Sequence, residues 1–204
     1  MDTRRPYHHG SLPKTLVTHA IELLDESGAD AVAVREVARR AGVAPSAPFR
    51  HFADRAALLT AVTEAVAVDF GEVQMAAVNA AESIPFRALG TAFVQYALDY
   101  PHRFALLRGA LFGGTRTPVL EEGHRAFTQA VTDLIVTAQQ QGELRQTDPD
   151  LIRLAALALV YGLSQMFVDN YLDSTQAETL IDQVTELFGL GVLAPGAPER
   201  SPAT

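Results

Sequence analysis

The stretch "REVARRAGVAPSAPFRHF", residues 35–52, decides how this chain folds. It holds four arginines, one histidine and two phenylalanines, in a chain whose formal net charge at pH 7 is −8. A helical pattern breaks at Gly42, and glycine adopts the positive φ that a tight turn between helices needs. A second helix can begin near Pro45, with Pro48 still in its first turn, because amides there lack intrahelical partners. The stretch therefore predicts two short helices joined by a tight turn.

This layout is that of a helix-turn-helix, in which the second helix enters the major groove of duplex DNA. Arginine gathers here because phosphates attract cations. For Arg39 and Arg40, however, we favour a solvated helix face over phosphate contact. For Phe49 and Phe52 we favour core packing over base stacking. The small core expected to join the two helices consists of Val37, Ala38, Ala41, Val43, Phe49 and Phe52.

Composition and charge limit the classes of protein to which this chain can belong. The chain has 204 residues, 48% of them hydrophobic, which is enough to bury a core. It has no cysteine, which excludes disulfides, thiolate catalysis and cysteine-ligated zinc. Residues 1–60 carry eight Lys and Arg against seven Asp and Glu, whereas residues 61–204 carry eight against seventeen. An acidic protein with such a locally basic end can still approach a polyanion through that end.

Helical periodicity continues along the chain. One helix is expected from an N-cap at Ser11 to Gly28, and a long one follows Asp54, a good N-cap. Further helices are expected at about 85–100, 101–113, 119–141, 149–172 and 175–190. We predict an all-α chain with three parts. These are a three-helix helix-turn-helix domain (1–54), a helical ligand-binding and dimerisation domain (55–193) and a proline-rich disordered tail (194–204).

Two stretches in register resemble a known family. "VREVARRAGVAPSAPFRHFADRAALLTAV" (34–62) resembles the DNA-binding segment of TetR-family transcriptional repressors. The leader "YHHGSLPKTLVTHAIELLDESG" (7–28) resembles a subgroup with a Tyr-His-His-Gly lead-in. The resemblance implies a ligand-responsive repressor that binds a palindromic operator as a homodimer and is released by a small apolar effector.

The resemblance also implies which residues contact DNA. Arg35 aligns with a residue that reaches a guanine edge, and arginine bound bidentately to guanine is the commonest specific contact. Arg4 and Arg5 form an arm for the minor groove. The other candidates are the groove-facing Pro45, Ser46, Ala47, Phe49 and Arg50, with His51 and Arg55 at phosphate-contacting positions.

Three residues depart from the family pattern. Phe49 replaces a tyrosine whose hydroxyl reaches a phosphate, and Val34 also lacks a hydroxyl. Ala33 replaces the Ser or Thr that would form a capping box with Glu36, at a cost of about 1 kcal/mol in helix stability. We therefore expect affinity for DNA to depend on arginines and to fall steeply with salt.

The last two helices have the composition of a subunit interface. Residues 151–172 are apolar nearly all round, and residues 180–191 carry an apolar stripe. Two such helices from each subunit would form a four-helix interface, as the resemblance implies. The two-fold symmetry of such a dimer predicts a palindromic site. The expected interface residues are Ala155, Ala158, Gly162, Leu180, Ile181, Val184, Leu187 and Phe188.

The middle of the chain is rich in aromatic residues, and the resemblance places an effector cavity there. Apolar pockets with a few polar groups suit small apolar ligands. The expected lining consists of Phe93, Tyr96, Phe104, Leu107, Phe127, Tyr161, Gln165 and Met166, with Asn170 as a further polar anchor. We expect coupling to pass from residues 101–113 to the helix that follows Asp54.

Other functions find little support in the sequence. The adjacent His8 and His9 lack a third metal ligand, and no phosphate-cradling glycine loop occurs. We expect no enzymatic activity, no metal and no cofactor. The N-terminus has no apolar leader, and no run of 18 apolar residues occurs, so we expect a cytoplasmic protein without a membrane segment. Two alternatives stay open: a helical adaptor without specific DNA reading, and an all-helical enzyme.

Overall fold

The structure is a computed structural model that describes residues 12–81, 84–113 and 116–192. Ser11, the arm with Arg4 and Arg5, His8, His9 and the tail predicted at 194–204 lie outside these residues. The described part is helical and contains no strand, which confirms the all-α class. Its α-helices are α1 (Leu12–Ser27), α2 (Val34–Arg40), α3 (Arg55–Ala80), α4 (Pro85–Asp99), α5 (Pro101–Phe112), α6 (Pro118–Gln140), α7 (Pro149–Val168) and α8 (Ala177–Val192). Short 3-10 helices occupy Ala29–Ala31, Pro48–Arg50 and Ser174–Gln176.

Local chemistry sets most helix ends. Gly28 has a φ of 78° and ends α1, where a residue with a side chain would be strained. The Asp54 carboxylate accepts a hydrogen bond from the Ala57 amide at 2.8 Å, so Asp54 caps α3 as predicted. Thr117 and Asp148 cap α6 and α7 in the same way. These interactions lie within one helical turn and could therefore be predicted from the sequence.

The end of α7 differs from the prediction. The helix ends at Val168, not at residue 172, and Asn170 has a φ of 57°. A residue in the left-handed region cannot continue a right-handed helix, and asparagine tolerates that region better than most residues. The chain then passes through the 3-10 helix Ser174–Gln176 before α8 begins.

The chain divides into two compact units. The first comprises residues 1–67 and 102–115, and the second comprises residues 68–101 and 116–204. The predicted boundary after residue 54 stays a prediction. In the first unit, the stripe of α1 packs against α2, as its helical spacing indicated. The buried residues of this unit include Leu16, Ala20, Leu23, Leu24, Val37, Ala38, Phe52, Leu58, Val62, Phe104 and Leu107.

In the second unit, α4 packs against α7 and α8, and α6 packs against α7. One apolar cluster joins these helices and consists of Phe86, Leu89, Val131, Ile135, Ala138, Leu144 and Ile152. In the same unit, the ring of Phe70 makes edge-to-face contacts with Phe93 at a centroid distance of 5.2 Å and with Tyr96 at 4.9 Å. The hydroxyl of Tyr96 donates to the Asp69 carboxylate at 2.8 Å, so this largely apolar cluster includes one polar anchor.

Candidate nucleic-acid interface

Helix α2 begins without a side-chain cap. Ala33 is the N-cap residue, in an extended conformation with a φ of −109°, and no side chain bonds to the free amides of the first turn. Val34 is buried, whereas Arg35 beside it is exposed. Arg35 makes no hydrogen bond or ion pair with any described residue. Its guanidinium is therefore available to a ligand at the start of α2.

The other arginines of α2 are paired. Arg39 donates two hydrogen bonds to Glu36, at 2.8 and 2.6 Å. Arg40 donates to Glu26 of α1 at 2.7 and 2.6 Å and lies 3.4 Å from Glu36. The hydrogen bonds from Arg39 and Arg40, with their positive charges, lower the pKa of Glu36 to about 2. The solvated face favoured for both residues fits Arg39, whose side chain is 71% exposed, but not Arg40, whose side chain is 23% exposed and joined to α1.

The turn after α2 has the hydrogen bonds of a Schellman motif. Gly42 has a φ of 67°, and its amide donates to the Arg39 carbonyl at 3.2 Å. The Val43 amide donates to the Ala38 carbonyl at 3.0 Å. Glycine here ends the helix as its sequence position predicted, because the motif needs a left-handed residue after the last helical residue.

The second helix of the motif is shorter than predicted. The α-helix expected from Pro45 is wrong for this chain: turns occupy that region, and a 3-10 helix covers Pro48–Arg50. In an α-helix capped by Ala44, the amide of residue 48 would donate to the Ala44 carbonyl, but proline has no amide proton. The Ala47 amide takes that carbonyl instead, at 2.8 Å, and so tightens the turn.

This change turns Phe49 outward. Its side chain is 51% exposed, so the prediction that it packs in the core is wrong. Pro48 and Phe52 are buried instead, and the Phe52 amide donates to the Pro48 carbonyl at 2.9 Å. Residues 48 and 52 therefore lie on the same, inward side. Phe52 confirms the core prediction.

The remaining predicted contacts lie mostly on the surface. Pro45, Ser46, Arg50 and His51 are exposed, and Ala47 is half-buried. The side chains of Arg50 and His51, like that of Arg35, have no hydrogen-bonding or ionic partner among the described residues. We call this set the reading surface; it consists of Arg35, Pro45, Ser46, Ala47, Phe49, Arg50 and His51. It combines two available guanidinium groups with one hydroxyl and an exposed aromatic ring.

Arg55 differs from the other candidates because its guanidinium donates to backbone carbonyls through Nε and Nη2. Its Nε donates to the Val32 carbonyl at 2.8 Å and its Nη2 to the Ala29 carbonyl at 2.6 Å. The carboxylate of Asp30 lies 3.8 Å from the same Nη2 atom. Arg55 therefore joins the start of α3 to the segment between α1 and α2.

An acidic pair at the end of α1 was missed by sequence reasoning. Asp25 accepts two hydrogen bonds from Arg103 of α5, at 2.8 and 2.6 Å, and the adjacent Glu26 binds Arg40 of α2. The imidazole of His102 lies next to Gly28, so that a Cβ at Gly28 would lie 3.3 Å from its Nδ1. Asp25 and Arg103 are 78 residues apart, and no local signal in the sequence links them.

The predicted effector-binding residues are divided between the two units. Phe104 and Leu107 are buried in the first unit, whereas the other predicted lining residues belong to the second. Within the second unit, Phe93 and Tyr96 are packed around Phe70, and Met166 is 46% exposed. The half-buried residues of the predicted lining are Phe127, Tyr161 and Gln165, and the proposed anchor Asn170 is exposed.

A different cavity is present in the second unit. It has a volume of about 190 Å³ and contains none of the predicted lining residues. Its wall is mostly apolar, with one carboxylate and one hydroxyl: Met75, Val78, Leu89, Ala130, Val131, Asp133, Leu134 and Thr137. The sequence did not indicate it, because the wall is divided among three helices: α3 contributes two of these residues, α4 one and α6 five.

Helices α7 and α8 expose apolar side chains. On α7, Leu151 and Leu154 are 56% and 58% exposed, and the predicted interface residues Ala155 and Ala158 are exposed beside them. On α8, Leu187 is 71% exposed. We call this set the α7–α8 face. Gly162, Leu180, Val184 and Phe188, also predicted for the interface, are half-buried.

Ile181 was predicted to lie at the dimer interface, and this prediction is wrong. It is only 2% exposed, because it lies on the side of α8 that packs inside the unit, so it is not available to a partner.

Among the described helices, α7 has the length and apolar composition of a membrane span, with a mean hydropathy of 1.8 over a window that is 28% buried. The core helices of soluble proteins also reach this length and mean hydropathy. The described residues include no group of three His, Asp or Glu side chains that could hold a metal ion.

The first unit thus has the geometry of a helix-turn-helix DNA-binding module, and comparison with known proteins identifies the family. Residues 16–62 match the profile of bacterial regulatory proteins of the tetR family. Residues 86–188 match the tetracyclin repressor-like C-terminal domain. The chain belongs to the TetR family of transcription regulators, which are not enzymes.

Individual relatives agree with this assignment. The tetracycline repressor protein class A from transposon 1721 of Escherichia coli is 41% identical over 54 residues, which are 26% of this chain and 25% of that repressor. A Rhodococcus sp. RHA1 protein of unknown function has a TM-score of 0.83 and 30% identity, over 93% of this chain and 100% of that one. A TetR-family regulator from Pectobacterium atrosepticum has a TM-score of 0.71 at 20% identity, over 94% and 99% of the two chains, and is similar in fold.

Proposed function

We propose that this chain is a ligand-responsive transcriptional repressor in the cytoplasm. It binds a palindromic operator as a homodimer and is released by a small apolar effector. The observation that carries the proposal is the reading surface, where the exposed side chains of Arg35 and Arg50 have no partner in the described part of the chain, while Arg39 and Arg40 are paired. An acidic chain that keeps two guanidinium groups available beside a helix-turn-helix is suited to bind a polyanion there.

The roles of the reading-surface residues follow from their chemistry. Arg35 can bind a guanine edge through two parallel hydrogen bonds, which supplies sequence discrimination. Arg50 and His51 lie beyond the turn and can contact phosphates, which position the protein without reading sequence. Ser46 is the hydroxyl donor of this surface. Since few other hydrogen-bonding groups are present, we propose that Arg35 carries most of the specificity.

The α7–α8 face supports a homodimer. An exposed apolar face on two adjacent helices is stabilised when a second copy covers it. The small side chains of Ala155 and Ala158 allow close approach of a partner helix. A two-fold dimer presents two reading surfaces to one side of a duplex, about 34–36 Å apart or a multiple of that distance, so the operator is palindromic.

We propose that the effector is a small apolar molecule bound in the second unit. The cavity lined by Met75 and Leu134 has the apolar character that a small apolar ligand needs, with Asp133 and Thr137 as polar groups. At about 190 Å³ it is smaller than the about 300–1,000 Å³ of drug-sized sites, so a larger ligand would need the helices to separate. Effector binding favours a state that fits DNA poorly, and by linkage DNA weakens effector binding by the same factor.

Selection from random duplex DNA tests the proposed function. The wild-type full chain should select a palindrome, and Arg35→Ala should lose that preference. Arg125→Ala is a matched control, because Arg125 is an arginine in the second unit whose side chain is 71% exposed. It should select the same palindrome as the wild type. Failure of the wild type to prefer any sequence at low ionic strength would contradict the proposal.

A helical adaptor is the alternative that one observation favours. The second helix of the motif is reduced to the 3-10 helix Pro48–Arg50, which shortens the element that enters the groove. An adaptor would keep the exposed α7–α8 face and bind duplex DNA without sequence preference. The same selection separates the two functions, since an adaptor yields no enriched sequence.

A further inference from the structure

We infer that Arg55 is a positioning residue for Arg35 and does not act as a phosphate ligand. Its guanidinium holds the segment that leads into α2, and so sets where Arg35 meets the edge of a base. The inference rests on the proposed DNA-binding function, and it assigns to Arg55 a role different from the phosphate contact implied by its alignment.

The geometry of the guanidinium carries this assignment. Two of its nitrogens donate to two different backbone carbonyls, those of Val32 at 2.8 Å and Ala29 at 2.6 Å. These residues are 23 and 26 positions away in the chain. Hydrogen bonds from a charged donor are stronger than neutral ones, and a rigid planar fork fixes direction as well as distance. Arg55 therefore connects α3 to a specific backbone conformation between α1 and α2.

The two carbonyls are available because of how α1 ends. Gly28, with a φ of 78°, turns the chain out of α1 into the 3-10 helix Ala29–Ala31. Val32 is the C-cap residue of this 3-10 helix, and its carbonyl accepts from Arg55. The Ala29 carbonyl accepts from the Val32 amide at 3.1 Å and, through its second lone pair, from Arg55. The buried side chain of Val32 anchors the same segment from the other side.

The two Arg55 hydrogen bonds affect the position of Arg35 because α2 has no side-chain cap at its N-terminus. Val32 precedes Arg35 by three residues, and Ala33 between them makes no side-chain hydrogen bond to the first turn. The backbone entering α2 is thus held by Arg55 and by the buried Val34, not by a capping side chain. Loss of the Arg55 fork would let the first turn of α2 fray, and Arg35 lies in that turn.

The electrostatic environment of Arg55 also disfavours phosphate contact. Its positive charge is partly balanced by Asp30, whose carboxylate lies 3.8 Å from Nη2. A cation that is already paired releases fewer counterions when it meets DNA than an available one does. Arg50 and Arg35 have no such partner among the described residues, so they are better suited to direct contact.

The test uses Arg55→Lys and Arg55→Gln in the full-length dimer, titrated against the selected operator and against random duplex over a salt series. If Arg55 positions Arg35, both variants lose roughly tenfold in operator affinity, because Arg35 no longer lies where it can bind the base edge. Random-duplex affinity and the salt slope stay at wild-type values. A phosphate contact predicts another pattern: Arg55→Lys keeps its affinity, and Arg55→Gln lowers the salt slope by about one. That pattern would overturn the inference.

A double-mutant cycle measures the coupling between Arg55 and Arg35 in operator affinity. A role of Arg55 in stability alone would give no such coupling. In an Arg35→Ala background, Arg55→Gln should cause no further loss of operator affinity, because the contact it positions is already gone. In an Arg50→Ala background, Arg55→Gln should cause its full loss. Additive losses in both backgrounds would contradict the proposal.

Hydrogen exchange keeps the test decisive if Arg55→Gln folds poorly. Amides in residues 29–37 should exchange faster in Arg55→Lys than in the wild type, while those of α1 keep their protection. Unchanged exchange in residues 29–37 would show that the fork does not hold the segment. A wild type without sequence preference overturns the proposed function together with this inference, whereas the outcomes above overturn the inference alone.

Discussion

Arg40 donates two hydrogen bonds to Glu26, at 2.7 and 2.6 Å, and so joins the end of α2 to the end of α1. The side chain of Arg40 is only 23% exposed. An arginine on a DNA-binding module is thus used to hold the module together. Because the Arg40 guanidinium donates to Glu26 and Glu36, it is not available to contact DNA as Arg35 is.

The first prediction concerns Arg40. Arg40→Ala should lower the melting temperature, since it removes the connection between α1 and α2, and should leave the salt slope of operator binding unchanged. Thermal unfolding and a salt series of binding titrations measure the two effects. Arg39→Ala is the control: among the described residues, the Arg39 side chain pairs with Glu36 on its own helix alone, so a smaller loss of stability is expected for it. A salt slope lowered by about one in Arg40→Ala would show a phosphate contact.

The second prediction concerns pH. The pKa of Glu36 is lowered from 4.5 to about 2, chiefly by the hydrogen bond from Arg39. A depressed carboxyl pKa contributes stability above the unfolded-state value, and this contribution is lost as pH falls from about 4.5 towards 2. Glu36→Gln should therefore lower stability at neutral pH and flatten its dependence on pH in that acidic range. Denaturant unfolding at several pH values tests this, and an unchanged acid dependence would argue against it.

The third prediction concerns Gly42. Gly42→Ala should destabilise the chain by about 1–2 kcal/mol, because an L-residue is strained at a φ of 67°. No atom lies within 4 Å of the added Cβ, so the effect is one of backbone strain alone. Gly123→Ala, within α6 and equally free of contacts, should instead stabilise by about 1 kcal/mol. Urea unfolding of the two variants should give shifts of opposite sign, and equal signs would contradict this account.

The fourth prediction concerns the available arginines. Operator affinity should fall steeply with salt, and Arg50→Ala should lower the slope by about one. Arg35→Ala should cost about 1–3 kcal/mol on the operator and little on random duplex, because a base-edge contact is lost. Titrations on both duplexes measure these effects. A wild-type slope near zero would contradict the electrostatic part of the proposal.

The fifth prediction concerns the dimer. Leu187→Glu places a charge on a residue that is 71% exposed on the α7–α8 face, so it should weaken dimerisation by at least about tenfold. Sedimentation at several concentrations measures the effect. Val119→Glu is the matched control, because Val119 of α6 is 58% exposed but lies outside that face. Equal weakening by both substitutions, or by neither, would show that the α7–α8 face is not the interface.

The sequence by itself determined the features that depend on neighbours within one helical turn. The left-handed turn at Gly42, the cap at Asp54 and the missing cap at Ala33 all follow from the chemistry of single residues. The outward side chain of Phe49 also had a local cause, since Pro48 removes an amide that an α-helix needs. The sequence contained that information, but the prediction treated Pro48 as compatible with a first turn.

Only the tertiary structure decided which arginines are available. Arg35 and Arg40 are five residues apart in one helix, yet Arg35 is exposed without a described partner and Arg40 is bound to Glu26. Arg55 reaches carbonyls up to 26 residues away, and Arg103 reaches Asp25 across 78 residues. A guanidinium on a long, flexible stem takes the acceptors that folding brings near it, and the distances between such groups are set by helix packing, not by their spacing along the chain.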